Sequence, residues 1–310
     1  ATDGEFFRSA EFLAAEGTTH SLVVTAGDDP AAVAMAAPLL VREIPGTERL
    51  DAISPYGYPG LAVPDRAALP AGGIDPEAID FAPAGLVTIF LRHSLGPAPL
   101  AGASARNVCL LSDPELPRKS RMSDRQQVRK NLKRGYAIEI VPGPESDRER
   151  RDGFLAAYTE TMRRTEAADR YFFDAEYFDR ILAAEGTWLV IARAPDGAVA
   201  AASIGARSDG LLHYYLSGTA DGHLRDSPMK NVIEAMIELG AEQGLPVNFG
   251  GGIAPGDALE QFKRGFANRE ERWLTSEITC DPAAADELTA ALAERTGRSP
   301  EPGFFPPYRA

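Results

Sequence analysis

The sequence predicts an α+β protein built in two units, and three observations carry that prediction. With 310 residues the chain is long enough for one large domain or two of ordinary size. An apolar fraction of 44% supplies a core. Short helical and extended patterns alternate along the chain, and their order is clearest after about residue 150.

In the first half, FFRSAEFLAAEG (6–17) reads as a helix ended by Gly17, and HSLVVTA (20–26) and VAMAAPLLVREI (33–44) read as strands. RLDAI (49–53) leads into SPYGYPG (54–60), and AGLVTIFLRHSL (84–95) and ARNVCLLS (105–112) are further strands. A basic helix follows in SDRQQVRKNLKRG (123–135), with Ser123 expected as N-cap and Gly135 just past its end. Arg125, Arg129 and Lys133 recur at i, i+4 and i+8 as one positive stripe, and Val128, Leu132 and Tyr136 are expected to be its buried side. YAIEIV (136–141) alternates like a strand.

The second half begins with helices at RRDGFLAAYTETMRRT (150–165) and DAEYFDRILAAEG (174–186). TWLVIARA, AVAAASIGAR and LLHYYLSGT, turned by Pro195-Asp196-Gly197 and Ser208-Asp209-Gly210, form a three-stranded meander. SPMKNVIEAMIELGAEQG is an amphipathic helix, PVNFGGG a buried strand, DALEQFKRGF a short helix and EERWLTSEIT a final strand. This is the layout of the N-acyltransferase (GNAT-like) fold, in which strands splay and an acyl donor enters the gap. The expected domains are 1–145, joined by the tail 284–310, and 146–283.

Several function classes are disfavoured. No apolar run is long enough to span a bilayer, and ATDGEFFRSAEF lacks the pattern of a signal peptide, so a cytoplasmic protein is expected. Cys109 and Cys280 are far apart and form no CxxC, which leaves them as small buried hydrophobes. His20, His93, His213 and His223 show no metal-ligand spacing, no GxSxG elbow occurs, and no metal is expected. A net charge of -13 argues against broad coating of nucleic acid, so any such contact must be local.

The local exception is Arg118–Arg134, with eight Lys or Arg against one acid. Arg125, Arg129, Lys130, Lys133 and Arg134 are its candidate phosphate contacts; the alternative is a solvated helix face. Gly250, Gly251 and Gly252 end a strand where positive φ and close backbone approach to a ligand are useful, although three glycines also make a flexible turn. Tyr214 and Tyr215 face opposite sides of a strand, one toward core and one toward a cleft. Arg225 is a candidate carboxylate or phosphate ligand or an exposed loop arginine. SPYGYPG is either a turn held by Pro55, Gly57, Pro59 and Gly60, or a site wall offering Tyr56 and Tyr58.

FLAAYTETMRRTEAADRYFFDAEYF (154–178), HYYLSGT before SPMKNVIEAM, NFGGG before LEQFKRGF, SPYGYPG and RKNLKRG together resemble the Fem family of non-ribosomal aminoacyltransferases in order and spacing. The resemblance implies two tandem acyltransferase-fold domains with mixed, mostly antiparallel sheets. It also implies transfer of an amino acid from the acceptor end of aminoacyl-tRNA to an amine on a peptide: a peptidoglycan precursor, or a small natural-product peptide, including one borne on a carrier protein. No cofactor is implied, with aminoacyl-tRNA as co-substrate. Lys263 matches the family's FK motif, whose lysine stabilises the transition state, and Phe262 beside it is core or site lining. The alternative for Lys263 is a solvated surface lysine.

The runner-up is an acyl-CoA-dependent N-acyltransferase, for which a phosphate loop [RQ]xxGx[GA] is the usual sign. RSDGLL lacks the final small residue and FKRGFA the initial Arg or Gln. A non-catalytic binding module is the third class. Nucleotide-linked members of the family use a basic residue early in the first domain, and here no lysine precedes Lys119; Arg42 or Arg49 is the candidate substitute, and the gap favours a small-peptide or carrier-bound acceptor over a nucleotide-linked precursor.

Overall fold

A computed structural model describes residues 5–66, 69–301 and 303–310. They form two compact units: the described residues up to Ala15 with Asn107–Glu271, and Glu16–Arg106 with Arg272–Ala310. The contact boundary therefore falls near residue 107, and the basic helix and the strand after it pack with the second half.

The helices are α1 (Ala10–Ala15), α2 (Met122–Lys133), α3 (Arg148–Arg164), α4 (Ala175–Ala183), α5 (Met229–Glu242), α6 (Ala258–Arg264) and α7 (Pro282–Thr296). The strands are β1 (His20–Thr25), β2 (Val33–Glu43), β3 (Leu50–Ile53), β4 (Thr88–Arg92), β5 (Ser104–Ser112), β6 (Ala137–Pro142), β7 (Thr187–Arg193), β8 (Val199–Ser208), β9 (Leu211–Thr219), β10 (Val247–Gly250) and β11 (Arg269–Thr279).

In the unit containing residues 107–271 the strands run β5-β10-β9-β8-β7-β6. All pairs are antiparallel except β9 and β10, which pair in parallel at Val247–Leu212 and Asn248–His213. That ladder stops there, while β9 continues to Thr219 against β8, so the two strands part. A bulge between Ile204 and Gly205 places Tyr215 opposite no partner and marks the same region of β9.

Helices cover both faces of this sheet. α5 buries Val232, Ile233 and Met236 against Leu110, Val190, Leu212, Val247 and Phe249. On α3, Tyr158 and Ala157 lie so close to Gly218 that a Cβ there would come within 2.4 Å of the Tyr158 amide nitrogen. Glycine is thus required by helix–sheet approach, with no need for a positive φ.

The basic helix departs from expectation in two ways. Its N-cap is Arg121, not Ser123, and no side chain caps it. Leu132 is half exposed, and the buried residues of α2 are Asp124 and Asn131. This interface is polar because the facing residues of α5 are polar. Asp124 pairs with Lys230 at 2.9 Å, and Asn131 donates to Asn231 at 2.8 Å and to the Asp226 carbonyl at 2.8 Å. Gly135, at φ +90, ends the helix as expected.

The other unit arranges its strands β1-β2-β3-β4, with the Thr275–Thr279 part of β11 antiparallel to β4. It too has one parallel pair, β3 with β4, among antiparallel neighbours. Its core is built from Met35, Leu39, Leu61, Ile89, Leu91 and Ile278. Helix α7 starts at Asp281, which accepts from the Ala284 amide, and ends at Gly297, φ +67. The tail returns Tyr308 to Thr88 (2.6 Å) and Arg309 to the fully buried Asp51.

Candidate active site

The parting of β9 and β10 leaves the glycine turn and α6 beside the gap. Asp257 is the organiser of this segment: its carboxylate accepts from the amides of Glu260 (2.7 Å), Ile253 (2.7 Å) and Ala254 (3.0 Å). Those backbone bonds, from Ala254 first, hold its carboxyl below the usual carboxylate range. Glu260 accepts from the Gly256 amide at 2.7 Å and pairs with Arg264. Asp257 and Glu260 do not stand out among the sequence's candidate site residues. Asp-x-x-Glu before a helix, a capping-box pattern, was the signal that finds them.

Lys263, in the last turn of α6, is 7% exposed. Its Nζ donates to the Gly251 carbonyl at 2.6 Å. Burial pushes the amine down to about 8, against weaker opposing pulls from Cys109 and Asp257. It is therefore a desolvated cation poised near neutrality and not a solvated surface lysine. Phe262 packs partly buried against the α5 core and edge-on to Phe266.

The three glycines differ in purpose. Gly250 has φ +71. A Cβ on Gly251 would lie 2.6 Å from both the Asn107 side chain and the Val108 carbonyl, and one on Gly252 would lie 2.4 Å from Asp257. The turn is pressed against β5 and α6, which is a packed arrangement, not a loose one.

Tyr214 and Tyr215 do face opposite sides. Tyr214 packs toward α5, donates to Ser217 at 2.6 Å, and is pushed up to about 12 by burial. Tyr215 meets Phe6, Phe7 and Phe12 from the N-terminal segment and lies 3.0 Å, oxygen to oxygen, from the Tyr177 hydroxyl. His213, fully buried, is held neutral with its pKa near 4.

The predicted phosphate contacts separate. Arg134 is ion-paired to Asp226. Arg125, Arg129, Lys130 and Lys133 are exposed, and among the described residues no salt bridge neutralises them. Arg225 is likewise exposed without an ion pair among the described residues. The loop holding it is a 3-10 turn, Asp221–Asp226, whose carboxylates engage Arg164 and Arg134.

In the other unit, Tyr58 sits edge-on to Trp273 at 5.8 Å, and the Tyr56 amide donates to Glu16 at 2.9 Å. Gly60 is close-packed, its Cβ direction ending 3.0 Å from Ser94. Arg42 and Arg49 are both engaged by carboxylates, Asp51 at 2.9 Å and Glu287 at 2.7 Å.

A splayed parallel pair in a mostly antiparallel sheet with helices on both faces is an acyltransferase fold of the GNAT type, and residues 118–264 match the family model for the acetyltransferase (GNAT) domain. The crystal structure of FemX is similar in fold, with a TM-score of 0.63 at 12% identity, covering 90% of this chain and 93% of that one. The C-terminal domain (DUF2156) of a putative lysylphosphatidylglycerol synthetase from Agrobacterium fabrum matches with a TM-score of 0.58 at 15% identity, over 94% of each chain. L-PGS from Bacillus licheniformis matches with a TM-score of 0.54 at 11% identity, over 87% of this chain and 90% of that one. At these identities the likeness is one of fold. No curated protein sequence matches the chain.

Proposed function

We propose that the protein is an aminoacyltransferase that takes an amino acid from the acceptor end of a charged tRNA and joins it to the amine of a peptide. The observation that carries this reading is Lys263, a buried amine on α6 whose hydrogen-bond partner among the described residues is the Gly251 carbonyl, in the turn that follows β10. The acceptor nitrogen attacks the ester carbonyl carbon, the C–N bond forms, and the bond to the ribose oxygen breaks. The amine's proton leaves to water or substrate. Negative charge on the carbonyl oxygen in between is stabilised by the Lys263 ammonium, which acts strongly because its surroundings exclude water.

The uncompensated cations of α2 support an RNA donor. Arginines such as Arg148, Arg150, Arg193 and Arg264 are tied to carboxylates, whereas among the described residues no salt bridge engages Arg125, Arg129, Lys130 and Lys133, which leaves them for a polyanion. The acyl-CoA reading has the matched GNAT domain in its favour. Against it, the connection before α5, where a helix N-terminus would receive a pyrophosphate, carries Asp221 and Asp226 and no glycine pair.

The test is incubation of the protein with radiolabelled aminoacyl-tRNA pools and candidate peptides, beside an acetyl-CoA arm. Transfer from tRNA that Lys263→Ala reduces is expected. Turnover with acetyl-CoA alone supports the runner-up, and full activity in Lys263→Ala removes that residue from the mechanism. Replacing Arg125, Arg129 and Lys133 by Gln should make the salt dependence of tRNA binding shallower by about two to three in log–log slope; an unchanged slope leaves α2 a solvated helix.

A further inference from the structure

The glycine turn that presents a carbonyl to Lys263 is itself gripped at both ends by side-chain amides. At the upstream end, Asn248 Oδ1 accepts from the Gly250 amide at 2.8 Å. The other end of that amide group, Nδ2, lies 3.1 Å from His213 Nδ1, and His213 Nε2 lies 3.2 Å from the Ser208 carbonyl. A carbonyl only accepts, so Nε2 carries the ring proton, and the neutral ring offers Nδ1 as an acceptor. Asn248 must then turn its NH2 toward His213, which leaves its oxygen, and not its nitrogen, facing Gly250. The histidine thereby sets the orientation of the asparagine. Both residues are almost wholly buried, at 2% and 1% exposure, so neither alternative is available from water.

At the downstream end, Asn107 Nδ2 donates to the Gly252 carbonyl at 3.0 Å, and its Oδ1 accepts from the Val108 amide at 2.8 Å. Between the two grips lies Gly251, whose carbonyl meets Lys263 Nζ at 2.6 Å. Gly251 has no room to swing toward β5, because the Asn107 side chain and the Val108 carbonyl already occupy the space a Cβ would need.

From this geometry we infer that Asn248 and Asn107 are positioning residues for Lys263: by clamping the ends of the turn Gly250–Gly252 they aim the Gly251 carbonyl at Nζ and hold the amine in its desolvated place. Neither residue need touch substrate. His213 acts one step further back, by fixing the orientation of Asn248. The inference rests on the proposed role of Lys263, yet the arrangement is readable without any transfer reaction.

The experiment is competitive acylation of lysine amines with a small anhydride from pH 7 to pH 11, read by peptide mass spectrometry on the full chain. Exposed Lys133 serves as the internal standard. At pH 11, above the ordinary lysine value, the modification rate of Lys263 relative to Lys133 should rise about tenfold in Asn107→Ala and Asn248→Ala, the equivalent of loosening the hydrogen bond from Lys263 to the Gly251 carbonyl. The pH midpoint of Lys263 should move up from about 8 toward the ordinary lysine value of 10.5. An unchanged rate and midpoint in a variant whose thermal melt is native-like overturns the inference. If Asn248→Ala fails to fold, Asn107→Ala, at a half-buried site, decides alone. Asn107→Asp, whose carboxylate cannot donate to the Gly252 carbonyl, should behave like Asn107→Ala; protection equal to wild type counts against the clamp. If no charged tRNA supports transfer, the proposed function fails while the labelling result still stands. Where transfer is measured, a fall in kcat with unchanged KM for tRNA is expected, and a change confined to KM overturns the positioning role.

Discussion

Lys263→Met should stabilise the protein at neutral pH while removing its activity. The amine is 7% exposed, and burial holds it at about 8 against an ordinary 10.5. Keeping it charged below pH 8 therefore costs about 3 kcal/mol relative to a solvated lysine. Methionine of similar length fills the site without that penalty, but leaves the Gly251 carbonyl without its donor, which costs about 1 to 3 kcal/mol. The net gain at pH 7 is about 1 kcal/mol. The pH dependence is the sharper measurement, because the orphaned carbonyl contributes equally at every pH. The folded-state value lies below the unfolded one, so between pH 8 and 10.5 the unfolded chain holds more protons, and wild type gains stability as pH rises. Relative to wild type, Lys263→Met should lose about 2 to 3 kcal/mol between pH 7 and pH 10. Urea melts of both proteins at several pH values read this directly, provided their m-values agree. A stability difference that stays flat from pH 7 to pH 10 would refute the reasoning. Transfer by the same variant should fall about 10²- to 10³-fold, the scale of losing one oxyanion-stabilising group.

Gly218→Ala should destabilise its unit by about 1 to 3 kcal/mol, because the new methyl meets α3 backbone and not a movable side chain, and a melt within a degree of wild type would contradict that packing. His93 and His213, one in each unit, are held neutral near 4 against 6.5 by burial. Their contribution is complete above pH 6.5 and is lost as pH falls toward 4, about 3 kcal/mol each, so His213→Gln should flatten the acid side of its unit's stability curve. Tyr56→Ala with Tyr58→Ala should weaken acceptor binding more than it lowers the melting temperature, as judged by titration and thermal melts side by side; the reverse order makes SPYGYPG a structural turn, anchored through Tyr58 on Trp273.

Much of the architecture was legible in the chain. Period-two runs such as TWLVIARA and period-3.6 runs such as SPMKNVIEAM declare strand and helix locally, and the turns Pro195-Asp196-Gly197 and Ser208-Asp209-Gly210 set the meander. The helix at Pro282–Thr296 is hard to see in the sequence because its alanines show no strong apolar stripe, although Asp281 and Gly297 mark its ends. Hydrophobicity alone places Leu132 on a buried face. In the fold the buried face belongs to Asp124 and Asn131, since their partners Lys230 and Asn231 lie about a hundred residues away.

The site divides in the same manner. Lys263 and the three glycines stand out in sequence because a lysine is rare here and consecutive glycines have a physical meaning. What the sequence by itself determined is the residue inventory, the element order and the resemblance that those motifs carry. Tertiary structure alone decided that Lys263 is dry, that its partner is the Gly251 carbonyl, and that Asn107 and Asn248 hold that carbonyl in place. Burial and hydrogen-bond geometry depend on strands brought together across more than a hundred residues, such as β5 against β10, and no local pattern in the chain encodes which polar atoms will meet there.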